Sequence, residues 1–199
     1  MYLPAHFQED DPAALLAFMR AHPFAVVVTA PSGVPFASHV PLLIDEDESG
    51  TVTLRSHLAR ANKQWTHFEA GEVLVIFGGP HALVHPAWYE SQPNVPTWNY
   101  VVVHAYGTAT LVHDAERVRD IAYGLVREHT PDMAAVPADF ERRLLAGVVT
   151  FELRVTRLQG KFKLSQNKTA LDREQVARQL EGSGRDEERA VAALMRERE

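Results

Sequence analysis

A succession of short β-type segments separated by turn residues is the feature that most constrains the fold. The segments FAVVVTA (residues 24–30) and FASHVPLLID (residues 36–45) flank the turn PSGVP, which predicts an antiparallel hairpin. Further β-branched or alternating segments are TVTLRSH (51–57), YVVVHAYGTATLV (100–112) and VVTFELRVTRL (148–158). No strand–helix–strand unit recurs at regular spacing. The pattern therefore predicts a mainly β protein, a small antiparallel barrel with flanking and C-terminal helices.

Helix signals lie between and after these strands. Asp11 is a predicted N-cap with Pro12 at the first helical position, and Pro23 ends that helix. The segment LARANKQWTHFEAG (58–71) predicts a short helix that begins where the third strand ends and stops at Gly71. Other predicted helices occupy residues 114–128, capped by Asp114, residues 137–147, and the tail 171–199, where GSG separates two of them.

The segments EVLVIF and HALVHP are interpreted as two strands around the turn GGP. On a strand, His81 and His85 lie about 13 Å apart, which is too far to bind one metal ion. The sequence also contains no H-E-x-x-H and no G-x-S-x-G motif. We expect no metal site, and no catalytic residue can be assigned from these motifs.

Composition restricts the setting and the number of domains. The chain has 199 residues, 46% of them hydrophobic, which suits one domain with a full core. The lack of cysteine excludes disulfides and thiolate catalysis and is typical of a reducing compartment. Because the sequence shows neither a secretory leader nor an apolar run of about 20 residues, we expect a cytoplasmic protein with no membrane partner.

The net charge of −6 argues against a general affinity for nucleic acid. Positive residues are nevertheless concentrated in 156–171, TRLQGKFKLSQNKTAL, and to a lesser degree in 51–69. Two basic segments on an acidic chain favour sites for one small anion. Ordinary solvated loop lysines remain the alternative.

Three distant segments, SHLARANKQW, PTWNY and GKFKLSQN, each combine an aromatic ring with amide or cationic donors. A phosphorylated planar heterocycle needs this combination, because its ring requires apolar walls and its phosphate requires cations and N–H groups. Ser56 and His57 are also predicted to precede a helix N-terminus, where free N–H groups favour anions. Structural alternatives stay open: Trp65 as a core residue, and Trp98 at a subunit seam.

Five segments together resemble the PaiB family of FMN-binding split-barrel proteins, often described as negative transcriptional regulators. They are MYLPAHF, RANKQW, GPHALVHPAWYES, VPTWNYVVVHAYG and GKFKLSQNK, and they occur in matching order. The resemblance implies a split antiparallel β-barrel that forms a homodimer, with FMN in a cleft between the subunits. It also implies one domain over residues 1–170, with residues 171–199 as its helical extension.

The resemblance implies cofactor-binding residues in three groups. Those near the flavin ring are His39, Val40 and Pro41. Those near the phosphate are Arg55, Ser56, His57, Asn62, Lys63 and Gln64. Those that reach the cleft from either subunit are Trp98, Asn99, Lys161, Phe162, Lys163 and Gln166. The related pyridoxamine-phosphate oxidases carry a cation in the phosphate turn near the position where this chain has Asn62, so we expect weak FMN binding or loss of FMN during purification.

Two functions fit these expectations. The first is flavin-dependent redox chemistry on a small molecule, in which Lys161 or Lys163 stabilises the reduced flavin and His39 or His57 moves a proton. The second is a regulatory role, including binding of a non-flavin ligand or a partner without turnover. Because no helix-turn-helix pattern is present, we expect no direct sequence-specific DNA binding, and any control of transcription would be indirect.

Overall fold

The structure is a computed structural model that describes residues 1–130, 132 and 136–198. The strands are β1 (Gln8–Glu9), β2 (Phe24–Thr29), β3 (Phe36–Pro41), β4 (Leu43–Glu46), β5 (Val52–Ala59), β6 (Val73–Val84), β7 (Thr97–Val112) and β8 (Val148–Lys163). The α-helices are α1 (Pro12–Ala21), α2 (Ala115–His129), α3 (Ala138–Ala146), α4 (Ala170–Glu181) and α5 (Asp186–Arg196). Short 3-10 helices cover Ala5–Phe7, Lys63–Ala70 and Pro86–Trp88.

The strands form one 8-stranded sheet in the order β3-β2-β6-β7-β8-β5-β4, with β1 paired to β8. The pairs β2–β3, β2–β6, β4–β5 and β5–β8 are antiparallel. The pairing of β5 with β8 joins segments far apart in the chain, which is typical of a barrel rather than a meander of hairpins. The mainly β, antiparallel fold predicted from the sequence is confirmed.

The chain divides into two compact units. The terminal unit comprises residues 1–15, 78–103 and 159–199, and the central unit comprises residues 16–77 and 104–158. The expected division at residue 170 stays a prediction. None of the helices in the described part of the chain is long and apolar enough to cross a membrane.

Alternation along the strands builds the core of the central unit. On β5, Leu54, Ser56 and Leu58 are buried, whereas Arg55 and His57 point to the opposite face. The 3-10 helix Lys63–Ala70 contributes Phe68 to the same core. Its ring centroid lies 4.6 Å from that of Phe151 on β8. Both rings are fully buried, so they join this helix to β8.

In the terminal unit, the tail forms the two predicted helices, α4 and α5, and the structure shows that they pack against each other. Val176, Leu180, Val191 and Met195 are buried on their facing sides. Thr169 caps α4 by accepting from Asp172 N at 3.1 Å. Burial of apolar residues at helical spacing therefore explains why a strongly charged tail is ordered.

Three of the predicted helix ends are confirmed. Asp11 Oδ1 accepts from Ala13 N at 3.1 Å, and Asp114 Oδ1 accepts from Arg117 N at 2.8 Å, as expected for N-caps. Gly71 follows the last residue of its helix. Local side-chain chemistry was sufficient to place these boundaries.

One strand prediction is wrong. The segments EVLVIF and HALVHP are not two strands around a turn but parts of the single strand β6, Val73–Val84. Glycine and proline disfavour an extended backbone only weakly, and cross-strand pairing outweighs that preference. The sheet therefore passes straight through Gly78, Gly79 and Pro80.

The expected helix over 58–71 is also shorter than predicted. β5 continues to Ala59, because His57, Leu58 and Ala59 pair with residues 148–150 of β8. The helix that follows is a 3-10 helix that begins at Lys63. Ser56 and His57 consequently lie inside a strand, and the expectation that they precede a helix N-terminus is wrong.

Candidate functional site

A group of three lysines near the end of β8 concentrates positive charge in the terminal unit. Lys161 and Lys163 are two residues apart on β8 and therefore share one face, whereas Phe162 points to the opposite side and is buried. Lys168 follows a turn at Ser165, which has a φ of 66°. We call Lys161, Lys163 and Lys168 the lysine cluster.

Neutral oxygen atoms accept the hydrogen bonds of all three ammonium groups. Lys161 Nζ donates to the Tyr2 carbonyl at 3.1 Å. Lys163 Nζ donates to Thr97 Oγ1 at 2.8 Å and to the carbonyl oxygen of Trp98, both on β7. Lys168 Nζ donates to Asn94 Oδ1 at 2.5 Å. The hydrogen bonds hold the cations in place without cancelling their charge.

Aromatic rings line the same region. Lys161 Nζ lies 5.2 Å from the ring centroid of Tyr2 and 5.5 Å from that of Tyr100. Lys163 Nζ lies 5.6 Å from the ring of Phe7, and Lys168 Nζ lies 4.6 Å from that of Tyr89. Ring faces carry partial negative charge and attract these cations.

The lysine cluster has an excess of positive charge. Within the described residues, no salt bridge joins any of its three lysines to a carboxylate. Burial lowers the pKa of Lys163, and the neighbouring charges of Lys161 and Lys168 lower it further. Mutual repulsion of this kind is relieved by a bound anion, so the cluster is a candidate anion site.

Other predicted residues of this unit make contacts within the protein. Asn99 is fully buried, and its Nδ2 donates to Ser165 Oγ at 2.9 Å. Gln166 Oε1 accepts from Leu164 N at 2.7 Å, and its Nε2 donates to the Phe162 carbonyl at 2.5 Å. Asn99 and Gln166 thus fix the turn that connects Lys163 to Lys168. Their direct contact with a cofactor stays a prediction.

Trp98 differs from Asn99 in being half exposed. Its ring centroid lies 5.8 Å from that of His81, and 50% of its surface is open to solvent. An exposed indole beside a histidine ring can still accept a planar ligand. The preceding loop is held by buried Asp172, which accepts from Ser91 Oγ at 2.6 Å and from Glu90 N at 2.8 Å.

The predicted ring-binding residues lie on β3 of the central unit. His39 is exposed, and its ring stacks on Phe24 with centroids 6.2 Å apart. Val40 is buried on the other face. The Pro41 carbonyl accepts a hydrogen bond from Ser56 Oγ at 2.6 Å. This bond connects the residues predicted to lie near the flavin ring with those predicted to lie near the phosphate.

The predicted phosphate residues separate into engaged and available side chains. Asn62 caps the 3-10 helix by accepting from Gln64 N at 3.1 Å and donates to Ser38 Oγ at 2.7 Å. Gln64 is fully buried and donates to the Val27 and Phe36 carbonyls. Asn62, Gln64 and Ser56 therefore have structural contacts that connect β2, β3 and β5.

The charged members of that group behave differently. Arg55 Nε donates to Asp45 Oδ2 at 2.5 Å, so its charge is balanced. Lys63 Nζ lies 5.6 Å from the ring of Trp65. His57 faces a cavity under α2 and α3, and burial lowers its pKa. Among the described residues, the charge of Lys63 has only the ring face of Trp65 as its partner.

Sequence reasoning did not assign Lys168, Tyr2 and Tyr100 to the site. Lys168 was visible as part of the basic segment 156–171, but its distance from Lys163 depends on the turn at Ser165. Nothing in the spacing could place the N-terminal residue Tyr2 beside Lys161. Such contacts appear only once the chain ends are packed.

The residues present fit FMN. FMN combines a phosphate with a planar ring system, and the lysine cluster supplies uncompensated cations beside the faces of Tyr2, Tyr100 and Tyr89. Burial and the charges of Lys161 and Lys168 lower the pKa of Lys163, and a nearby anion would oppose that effect.

Comparison with known proteins supports FMN as the cofactor. Residues 1–157 match a family described as "Putative FMN-binding domain". The chain is 35% identical over 205 residues to the protein "Protease synthase and sporulation protein PAI 2" of Bacillus subtilis, covering 100% of this chain and 98% of that protein. It is 29% identical over 244 residues to an uncharacterized protein of Emericella nidulans, covering 100% and 97%.

Solved structures share the fold at low sequence identity. A FAD and heme binding protein from Mycobacterium smegmatis has a TM-score of 0.64 at 17% identity, covering 86% of this chain and 80% of that chain. The flavocytochrome Anf3 from Azotobacter vinelandii has a TM-score of 0.62 at 18% identity, covering 78% and 69%. The chain is therefore a member of the PaiB-type FMN-binding family, with the split-barrel fold and with FMN as its cofactor.

Proposed function

We propose that this protein is a homodimeric flavoprotein whose bound FMN reacts with a small molecule, and that any effect on transcription follows indirectly from that reaction. The lysine cluster is the observation that carries the proposal. Three cations without a described carboxylate partner, next to aromatic rings, form a site that gains stability when an anionic, planar cofactor binds.

When bound, FMN supplies reversible transfer of one or two electrons. The side chains contribute binding and electrostatics. Lys161 and Lys163 hold negative charge of the cofactor, and an anion near Lys163 Nζ raises its pKa towards the ordinary value, which keeps that proton in place. The exposed imidazole of His39 is the candidate group for proton transfer.

Exposed apolar side chains support the dimer. In the central unit, Phe24, Val34 and Phe36 are 64%, 71% and 44% exposed on or beside β3, an edge strand of the sheet. An edge strand with large exposed apolar residues favours association with a second chain. A second copy would cover these residues and complete a cleft between subunits.

Two observations support indirect regulation. The net charge of −6 disfavours DNA as a partner, since phosphate contacts need many clustered cations. The related Bacillus subtilis protein is named for protease synthesis and sporulation, which suits a regulatory output. A flavin reaction that changes the level of a metabolite connects the two without a DNA-binding surface.

The test is a visible spectrum of purified protein before and after addition of FMN, recorded with its sedimentation velocity. We expect a flavin spectrum shifted from that of free FMN and a dimer at micromolar concentration. Turnover is then measured as reoxidation of reduced protein by candidate small molecules. A monomer that does not bind FMN would favour the second candidate function, a ligand-binding regulator without flavin chemistry.

The dimer has its own control. Phe24→Glu with Phe36→Glu places carboxylates on the edge strand and should yield monomers, whereas Leu171→Glu, at an exposed leucine of α4, should leave the dimer intact. Dimers that persist in the first variant would remove this surface from the interface. An unchanged FMN spectrum in the resulting monomer would show that the cofactor needs one subunit only.

A further inference from the structure

The outer face of β5 and β8, in the central unit, lies under helices α2 and α3. His57 and Thr150 are direct partners across this strand pair, as are Ala59 and Val148. Directly opposed residues in an antiparallel pair point to the same face. His57 and Thr150 therefore stand side by side on the face away from Phe151 and the core.

Two adjoining cavities lie on this face. The first has a volume of about 250 Å³, and its walls include His57 from β5, Val126 from α2 and Leu145 from α3. The second has a volume of about 470 Å³, includes Thr150, and shares Leu145 and Val148 with the first. Together they define the α2–α3 cavity, whose residues all belong to the central unit.

Two residues in the walls of this cavity have buried polar atoms without a described partner. Among the described residues, His57 Nδ1 and Thr150 Oγ1 are buried and make no hydrogen bond. Thr150 is only 1% exposed. Buried polar groups in native proteins are nearly always hydrogen-bonded, so an unpaired pair beside a cavity indicates a missing partner.

The surroundings of His57 favour an uncharged partner. Burial lowers the pKa of His57, so its ring is neutral at neutral pH and one ring nitrogen can accept a hydrogen bond. The carboxylate at the rim, Glu141, accepts from Arg119 Nε at 2.5 Å and is balanced there. The remaining walls of the first cavity are mainly aliphatic side chains of α2, α3 and β8. The second cavity also has Arg60 and Arg142 in its walls, where Arg60 donates to the Ala146 and Val148 carbonyls and Arg142 pairs with Asp139.

We propose that the α2–α3 cavity binds an uncharged, mostly apolar small molecule that offers a hydrogen-bonding group to His57 Nδ1 and Thr150 Oγ1. A cavity of about 150 Å³ holds benzene. The first cavity, with a volume of about 250 Å³, therefore suits a bicyclic aromatic heterocycle. The proposal does not depend on FMN binding. It also differs from the expectation that His57 contacts the FMN phosphate, because aliphatic walls and a neutral imidazole do not favour an anion.

Indole is the probe, because it is bicyclic, uncharged and has one N–H donor. We expect a titration of the full-length protein, followed by amide chemical shifts, to give saturable changes on β5, β8, α2 and α3. Residues 161–168 should not shift. Benzofuran has the same shape without the donor and should bind about tenfold more weakly, as expected for loss of one buried hydrogen bond.

Variants separate the cavity from non-specific binding. Leu145→Trp fills the space from α3 and should abolish the indole shifts, whereas Leu171→Trp, at an exposed leucine of α4, should bind indole normally. Thr150→Val keeps the side-chain shape and removes Oγ1, so it should weaken indole binding and leave benzofuran binding unchanged. If Leu145→Trp fails to fold, the indole–benzofuran pair and Thr150→Val decide the question.

Three results would overturn the proposal. Indole shifts that are absent or located elsewhere would mean that the cavity takes no such ligand, as when water alone fills it. Equal affinities for indole and benzofuran would show that His57 and Thr150 do not bind the ligand. Competitive displacement of indole by FMN would place the cavity in the flavin site, while FMN binding alongside indole supports two separate sites.

Discussion

The lysine cluster of the terminal unit and the α2–α3 cavity of the central unit differ in the kind of partner that each lacks. Each lacks a partner: the cluster has three cations that no described carboxylate balances, and the cavity has two buried polar atoms without a described hydrogen bond. One unmet need is charge and the other is a hydrogen bond. We therefore expect the two regions to bind chemically different ligands, an anion at the lysine cluster and a neutral molecule in the cavity.

The largest effect we expect in this comparison follows a change of charge in the central unit near the turn before the 3-10 helix. Asn62→Asp with Lys63→Glu should weaken FMN binding about a hundredfold, since added carboxylates repel the cofactor. Aspartate also serves as an N-cap, so the helix should remain. The measurement is an FMN titration with circular dichroism as the control for folding. Normal FMN affinity would remove this turn from the flavin site.

A smaller effect is expected from Trp98→Ala in the terminal unit. Because Trp98 is half exposed and contacts the ring of His81, its removal should lower FMN affinity about tenfold while Tm shifts by only about 2 °C. Calorimetry and FMN titration on one preparation check both values. A dimer that dissociates while the folded protein binds FMN normally would make Trp98 a structural residue.

Salt should affect ligand binding at the two regions differently, and the effect should be smaller than that of the substitutions. Raising the ionic strength screens exposed charges, so FMN affinity should fall severalfold between low and moderate salt. Indole affinity should stay constant, because indole itself carries no charge. Parallel titrations at two salt concentrations make the comparison. If both ligands respond equally to salt, the electrostatic contrast between the lysine cluster and the cavity is wrong.

The smallest expected effect is on stability against pH. Burial lowers the pKa of His57 below its value in the unfolded chain, near 6.5. The unfolded chain then binds more protons, so this histidine destabilises the fold as pH falls below about 6.5 and has no effect well above it. The His57→Phe variant should lose less Tm than wild type between pH 7.5 and pH 5. Identical pH profiles would mean that His57 does not become charged on unfolding in this window.

Much of the fold could be predicted because its determinants are local. Asp11 and Asp114 mark helix starts by side-chain hydrogen bonds to nearby N–H groups, and alternation marks β5 and β8. The passage of β6 through Gly78 and Gly79 was not predictable, because neighbouring strands decide it.

The site was predictable only in part for the same physical reason. The basic segment with Lys161 and Lys163 was visible in the sequence, but their shared face depends on the continuation of β8 to Lys163, beyond the predicted strand end at 158. The partnership of His57 with Thr150 depends on the register of β5 against β8, and no local signal contains that register. Likewise, the contact of Tyr2 with Lys161 depends on where the chain end packs.

The most direct test of the central claim, that the lysine cluster holds the charge of FMN, is the FMN affinity of Lys161→Gln with Lys163→Gln. Glutamine keeps hydrogen-bonding capacity and removes the charge. Arg185→Gln, at an exposed cation of the same unit, is the matched control. The account predicts a loss of about a hundredfold in the double variant, for two charged contacts, and none in the control. FMN binding as tight as in wild type, in a double variant that retains its Tm, would contradict it.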